Sequence, residues 1–348
     1  MRGRFLCTGV GSLPHESADA AIDLIDETFP ELPHWPQLPR RSELEGLTRQ
    51  YVTPLMEAGL LVESAGRLAF VDGSAGWEER LAGYYEVCLA CEEGVGDLEA
   101  FALPREAAVG FYRFLERKAG AKMEYVKGQV TGPLTLGLEL VDSRGRSAFY
   151  DDTLRDLILR TVRLSALWQA EQLAALAHKV VLFLDEPGLY AHGSSLFITL
   201  DGPTIRAGLD SVYSFLEARG VITGTHVCAG TDWSILLRSE VGVVNFDAHG
   251  HFASLLPYAE ELAAFLERGG ILAWGIVPTS GEAELDDLVE LWKESVSRLA
   301  ARGVDRAALE GQCMFTPSCG TGSGTLPEAR VVYELTARLA ERLRRECG

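Results

Sequence analysis

The 348-residue chain has no run of about 18 uninterrupted apolar residues, so nothing in it reads as a transmembrane helix. Its opening, "MRGRFLCTGVGSLPHES", has an apolar stretch too short for a signal peptide and lacks a cleavage site; it reads as a strand. Positive charge is scarce as well. Thirty-two Lys and Arg stand against 50 Asp and Glu, a formal net charge of −18. Such a surface disfavours phosphate backbones and anionic membranes, so neither nucleic acid nor a membrane is an expected partner. Cysteine is thinly spread: Cys7, Cys88, Cys91, Cys228, Cys313, Cys319 and Cys347 are odd in number and outline no disulfide framework. A cytoplasmic, reducing setting is expected, where thiols serve metals or nucleophilic chemistry. No GxGxxG follows a strand, which argues against a doubly wound dinucleotide-binding sheet. There is no internal repeat, low-complexity tract or linker, and a single domain over residues 1–348 is expected.

What is present is a repeated alternation. Eight apolar, β-branched runs each end in Gly, Pro or Asp: 4–12, 33–39, 124–132, 180–188, 221–230, 241–250, 271–279 and 313–320. The second, "PHWPQLP", is weak because proline cannot donate to a central ladder. Between the runs lie helical stretches. Residues 152–179 carry Leu154, Leu157, Ile158, Val162 and Leu173 at helical spacing, and later helices stop at Gly220 and Gly303 or open at Pro327. Strand–helix alternation implies parallel strands with helical crossovers, and eight units predict a (β/α)8 TIM barrel. Residues 58–73 predict a small β-hairpin inserted after the second strand.

Active sites of such barrels form at the C-terminal strand ends. The unusual polar residues fall there: Ser12 in "VGSLP", Thr131 in "VTGP", Asp185-Glu186 in "LDEPG", His226 and Cys228 in "THVCAG", Asp247 in "NFDAHG", and Cys319 in "TPSCG". Strand side chains alternate, so His226 and Cys228, two apart, point the same way. With Cys319 from another strand end they make a Cys2His set suited to zinc. Asp247 can add an oxygen, although His249 or His251 could replace it, and an Asp after a strand also closes turns. At most one of Asp185 and Glu186 faces the barrel mouth, as a carboxylate that grips an amine or moves a proton. Cys88 and Cys91 form a lone C-x2-C in a predicted helix and read as buried thiols.

Taken in order, "GVGSLP", "VKGQVTGPLTLG", "LFLDEPGL", "THVCAG" and "TPSCG" resemble the catalytic half of cobalamin-independent methionine synthase, in the barrel superfamily that includes uroporphyrinogen decarboxylase. The resemblance runs from about residue 8 to 325. It implies Zn2+ on His226, Cys228, Asp247 and Cys319, and an amino-acid thiol, homocysteine, bound through Ser12 and Asp185. Asp247 stands where that family normally has Glu. The family's His after the seventh strand is replaced by "GIVPT". Nothing here is long enough to stand in for the family's second, folate-binding barrel, so the expected methyl donor is a corrinoid protein, as in shorter relatives. The expected activity is zinc-dependent methyl transfer to a small thiol. Three rivals remain: a decarboxylase-like lyase using Arg40 and Arg41 against substrate carboxylates, a non-catalytic barrel that retains the metal site, and a hydrolytic zinc enzyme, less attractive because two thiolates soften the metal.

Overall fold

The computed structural model describes residues 3–64, 66–191, 201–279 and 283–347. In chain order the strands are β1 (Leu6–Cys7), the hairpin β2 (Leu61–Ser64) and β3 (Arg67–Phe70), β4 (Met123–Thr131), β5 (Ala177–Asp185), β6 (Ile222–Val227), β7 (Val243–Asp247), β8 (Ile271–Val277) and β9 (Cys313–Pro317). Seven of them form one parallel sheet in the order β1-β9-β8-β7-β6-β5-β4. The antiparallel β2–β3 hairpin stands apart, where residues 58–73 predict it.

The sheet curls, and alternation explains what the curl encloses. Leu6 (β1), Val181 and Phe183 (β5), Val243 (β7), Ile271 and Ala273 (β8) and Met314 (β9) pack into one buried cluster with Tyr125 and Ile222 against it. Residues from opposite edges of a flat sheet could not meet in this way. The alternate residues face outward to a larger core shared with the helices. Helix Asp152–Ala174 shows the local logic. Asp151 caps its first turn by accepting from Thr153 N and Leu154 N, and its apolar stripe lies buried against the sheet. The predicted helix ran to 179, but Ala177 already begins β5. Helices Gly202–Glu217, Leu285–Ala300 and Leu326–Cys347 fall where their sequence stops and starts place them.

The eighth ladder expected at 33–39 is not formed, and the sheet has seven strands and no closing ladder. The segment lies across the gap between β1 and β4 and makes only single parallel bridges, Gln37 to Ser12 and His34 to Lys127. Lys127 N donates to Pro33 O (2.8 Å), while Leu13 N donates to Gln37 O (2.9 Å) and Gln37 N to Gly11 O (3.1 Å). Pro33, Pro36 and Pro39 lack the N–H groups that a continuous ladder needs. Among the described residues no helix is long and apolar enough to cross a membrane. Most of the segment after β5, "YAHGSSLFITLDGP", lies outside the described residues.

Candidate metal centre

Interior polarity rises toward the C-terminal strand ends. On β5 the inner face runs Val181, Phe183, Asp185; on β6 it runs Ile222, Gly224, His226. The ladder pairs Asp185 with His226 directly and His226 with Asn245 of β7. Beyond β6 the chain keeps Cys228 on the side of His226, and the turn after β9 brings in Cys319. One ligand atom each from His226, Cys228 and Cys319 lies within 4.8 Å of the others. His226 is buried and both cysteines are half-buried, so the cluster is walled below and reachable from the mouth.

Hydrogen bonds fix the imidazole. Asn245 Nδ2 donates to the Ala273 carbonyl (2.9 Å) and to Thr316 Oγ1 (2.8 Å). A carbonyl only accepts, so the Asn245 amide cannot be turned round, and its Oδ1 faces His226 Nδ1 at 2.6 Å. The proton therefore sits on Nδ1, and Nε2 presents a lone pair. That Nε2 is buried with no hydrogen-bond partner. A buried imidazole nitrogen is seldom left so, and a metal ion beside the two sulfurs would satisfy it.

The thiols carry the same message. Cys228 is drawn down to about 4, first by the hydrogen bond from the Cys319 thiol and then by His226, against the effect of burial. Cys319 is pushed far above the ordinary thiol range by that same bond and by burial. Once ionised, each sulfur opposes the other's ionisation, and a cation between them would relieve that opposition. Burial lowers His226, but its contacts with Cys228 and then Asp185 outweigh burial and the net direction is upward.

Asp185 and Glu186 separate as strand alternation requires. Glu186 is wholly buried on the outer side, accepting from Leu134 N (2.9 Å), Thr135 N (2.8 Å) and Thr135 Oγ1 (2.6 Å) at the start of helix Pro133–Glu139. Burial pushes it up to about 7 against those donors. Asp185 turns inward. Burial pushes it up to about 6, opposed by the charges of Lys127 and His226 and reinforced by Cys228. Its Oδ1 is buried and lacks a hydrogen-bond partner. Ser12 lies on the rim against the Cys319 turn: its carbonyl accepts from Thr321 N (3.0 Å), and its hydroxyl sits where a Cβ on Gly320 would be. Any residue larger than glycine after Cys319 would have to displace the Ser12 hydroxyl.

Asp247, expected as the fourth ligand, is not brought into the cluster. Its carboxylate caps helix Ala248–Leu255, accepting from Gly250 N at 2.7 Å. His249 and His251 are exposed on that helix and also stand outside the cluster. Thr131 Oγ1 donates to Leu47 O (2.5 Å), a structural tie. Arg41 pairs with Glu45 (2.8 Å) and Arg40 donates to Ser323 O (2.8 Å), so both cations have internal partners. Two interior residues escaped sequence reasoning, Asn245 and Lys127. Asn245 is a lone amide within "VVNFD"; Lys127 opens "KGQVT", whose polar side chains at alternate positions share one face and were the signal there to read.

No protein-family profile and no curated protein sequence matches the chain. Solved structures do match its shape, and two of them are informative. One is a B12-independent methionine synthase from a Shewanella species, described in complex with selenomethionine; it is 13% identical, with 98% of each chain covered and a TM-score of 0.58. The other is a putative vitamin-B12-independent methionine synthase from Listeria monocytogenes, 12% identical over 93% of this chain and 85% of that one, with a TM-score of 0.51. At this identity the likeness establishes the fold, an α/β plan shared with B12-independent methionine synthases.

Proposed function

We propose that the protein is a zinc-dependent methyltransferase acting on a small thiol, homocysteine in the first instance, with methionine as product. The observation that carries this reading is the His226–Cys228–Cys319 cluster with its partnerless Nε2. Two sulfurs and one imidazole suit zinc and leave a coordination position for an exchangeable ligand. When bound there, zinc would deprotonate an incoming thiol while two thiolate ligands keep that thiol nucleophilic. His226, Cys228 and Cys319 hold the metal, and Asn245 keeps Nε2 unprotonated. Asp185, with an unused oxygen beside the cluster, pairs with the substrate ammonium, and the Ser12 turn takes its carboxylate. These contacts fix the sulfur in line for attack on an electrophilic methyl group. Selenomethionine in the Shewanella structure, a close analogue of the product proposed here, supports an amino-acid ligand.

The donor we propose is a methyl-corrinoid protein, which could approach the half-buried sulfurs from the mouth. The setting proposed is cytoplasmic, where both thiols stay reduced. We also take residues 33–37 as an irregular eighth element that completes a (β/α)8 barrel, on the strength of their bridges to both edges. The test is zinc analysis of freshly purified protein together with a methylation assay offering methylcobalamin and methyltetrahydrofolate separately. About one zinc per chain and methionine formed from homocysteine is the expected result. Zinc without methyl transfer from either donor would favour a barrel that binds and does not turn over.

A further inference from the structure

Lys127 is the one lysine or arginine that is fully buried among the described residues. It stands on the inner face of β4. Its Nζ donates to Val10 O at 2.6 Å and to Gln129 Oε1 at 3.3 Å, and it lies 4.8 Å from the centre of the Phe183 ring. Three parts of the chain thus clamp the ammonium: the segment after β1, β4 and β5. A buried cation needs an anion, and the candidates are few. Glu186 is occupied by the helix at 133–139. Glu45 is held by Arg41 and Leu38 N. Asp185 remains: it pairs in the ladder with Thr131, further up the same face of β4, and its Oδ1 has no partner. Each charge favours the other's ionised form.

Charge balance shows what such a pair would do. Two thiolates cancel a zinc dication. A bound homocysteine thiolate, its carboxylate and Asp185 then add three negative charges, of which the substrate ammonium cancels one. Lys127 offsets a second, and the substrate carboxylate is left to the Ser12 turn. We propose that Lys127 is a positioning residue whose clamped ammonium, on the same inner face as Asp185 but not in direct contact with it, acts through space to keep that carboxylate ready for the amino group of the acceptor thiol. The inference rests on the thiol-acceptor reading above and adds to it a charge that acts through Asp185.

The experiment uses Lys127→Gln, which keeps a donor for Val10 without the charge, together with Lys127→Met, Asp185→Asn and the two Lys127/Asp185 double variants. Urea unfolding of the metal-free proteins reads the pair without any ligand. The expected result is non-additivity, with Asp185→Asn restoring part of the stability lost at Lys127; additive losses overturn the pairing. Should the single Lys127 variants fail to fold, folding of the doubles supports the pair, and failure of the doubles too overturns it. Calorimetry on zinc-loaded proteins then compares L-homocysteine with 4-mercaptobutanoate, which lacks only the amine. Lys127→Gln should weaken homocysteine about tenfold, leave 4-mercaptobutanoate unchanged, and add nothing in the Asp185→Asn background. Equal weakening of both thiols means a purely structural lysine and overturns the proposal. A wild type that binds neither thiol, yet shows non-additive unfolding, overturns the thiol reading and the substrate role while the charge pair stands.

Discussion

Cys88 and Cys91 sit three residues apart on one helix, whereas Cys228 and Cys319 come from the ends of different strands. By spacing alone the helical C-x2-C looks more like a metal motif. Its surroundings decide otherwise. Both thiols are buried in the outer core; burial pushes Cys88 up to about 12 and raises Cys91, whose Sγ donates to Asp97 O at 3.5 Å. Among the described residues no imidazole is there to complete a ligand set. The strand-end pair has His226, a hydrogen bond that pulls Cys228 down, and access from the mouth. Thiol pairs become metal ligands when the fold supplies a third donor and a route in, and when it keeps the thiols from behaving as small apolar side chains.

The sharpest way to break this comparison is to replace each cysteine by serine and weigh the zinc. Cys228→Ser and Cys319→Ser should each lose essentially all bound zinc, because two ligands of a small site cannot hold the metal as three do. Cys88→Ser and Cys91→Ser should keep the wild-type content. Zinc lost from the helical pair instead would reverse the assignment.

Selective alkylation tests the same contrast in metal-free protein. At pH 6, Cys228, held well below the usual thiol range by its neighbours, carries far more thiolate than Cys88, which burial pushes up to about 12. Iodoacetamide should therefore label Cys228 many times faster than Cys88, with mass spectrometry locating the label. Because the thiolate is the nucleophile, Cys228 labelling should persist to a lower pH than that of any ordinary thiol and fade only on further acidification. Similar rates at pH 6 would contradict the strand-end environment described above.

Asn245→Leu probes the partner that fixes the imidazole. It removes the acceptor on Nδ1 and leaves the Ala273 carbonyl and Thr316 unsatisfied on that side. Zinc affinity, read by chelator competition, should fall about 10- to 100-fold with all three ligands still present. An unchanged affinity would mean that the His226 tautomer is set elsewhere.

How far the site could be read in advance depended on how each residue signals itself. His226 and Cys228 were legible because a strand has period two and neither type is common at a strand end. Asp247 is the ambiguous case because one residue type serves two purposes: an Asp after a strand is a metal oxygen in one context and a helix N-cap in another, and here it caps the helix that "DAHG" opens. Asn245 could not be singled out, since one amide within "VVNFD" looks like any satisfied polar residue until the Ala273 carbonyl fixes its orientation. The eighth ladder failed for a reason visible in the sequence, the prolines of "PHWPQLP", whose effect on a curled sheet depended on what lay to either side. The seven remaining strands followed from alternation, and so did the separation of Asp185 from Glu186.

The smallest effect belongs to the helical pair. Cys88 is fully buried, with Tyr84 beside it on the same helix, and Tyr84 in turn donates to or accepts from Thr161 Oγ1 at 2.7 Å. Cys88→Ala removes one sulfur from this packing and breaks no charge or metal contact. The loss of buried contact should cost about 1 kcal/mol of stability, seen as a lower urea midpoint with an unchanged slope. Zinc content should not move. If Cys88→Ala left stability untouched and lowered zinc, the helix would be coupled to the strand ends through helix Asp152–Ala174, which lies between them and carries Thr161. An intact zinc content with a modest loss of stability would leave the two cysteine pairs as independent in energy as they are in position.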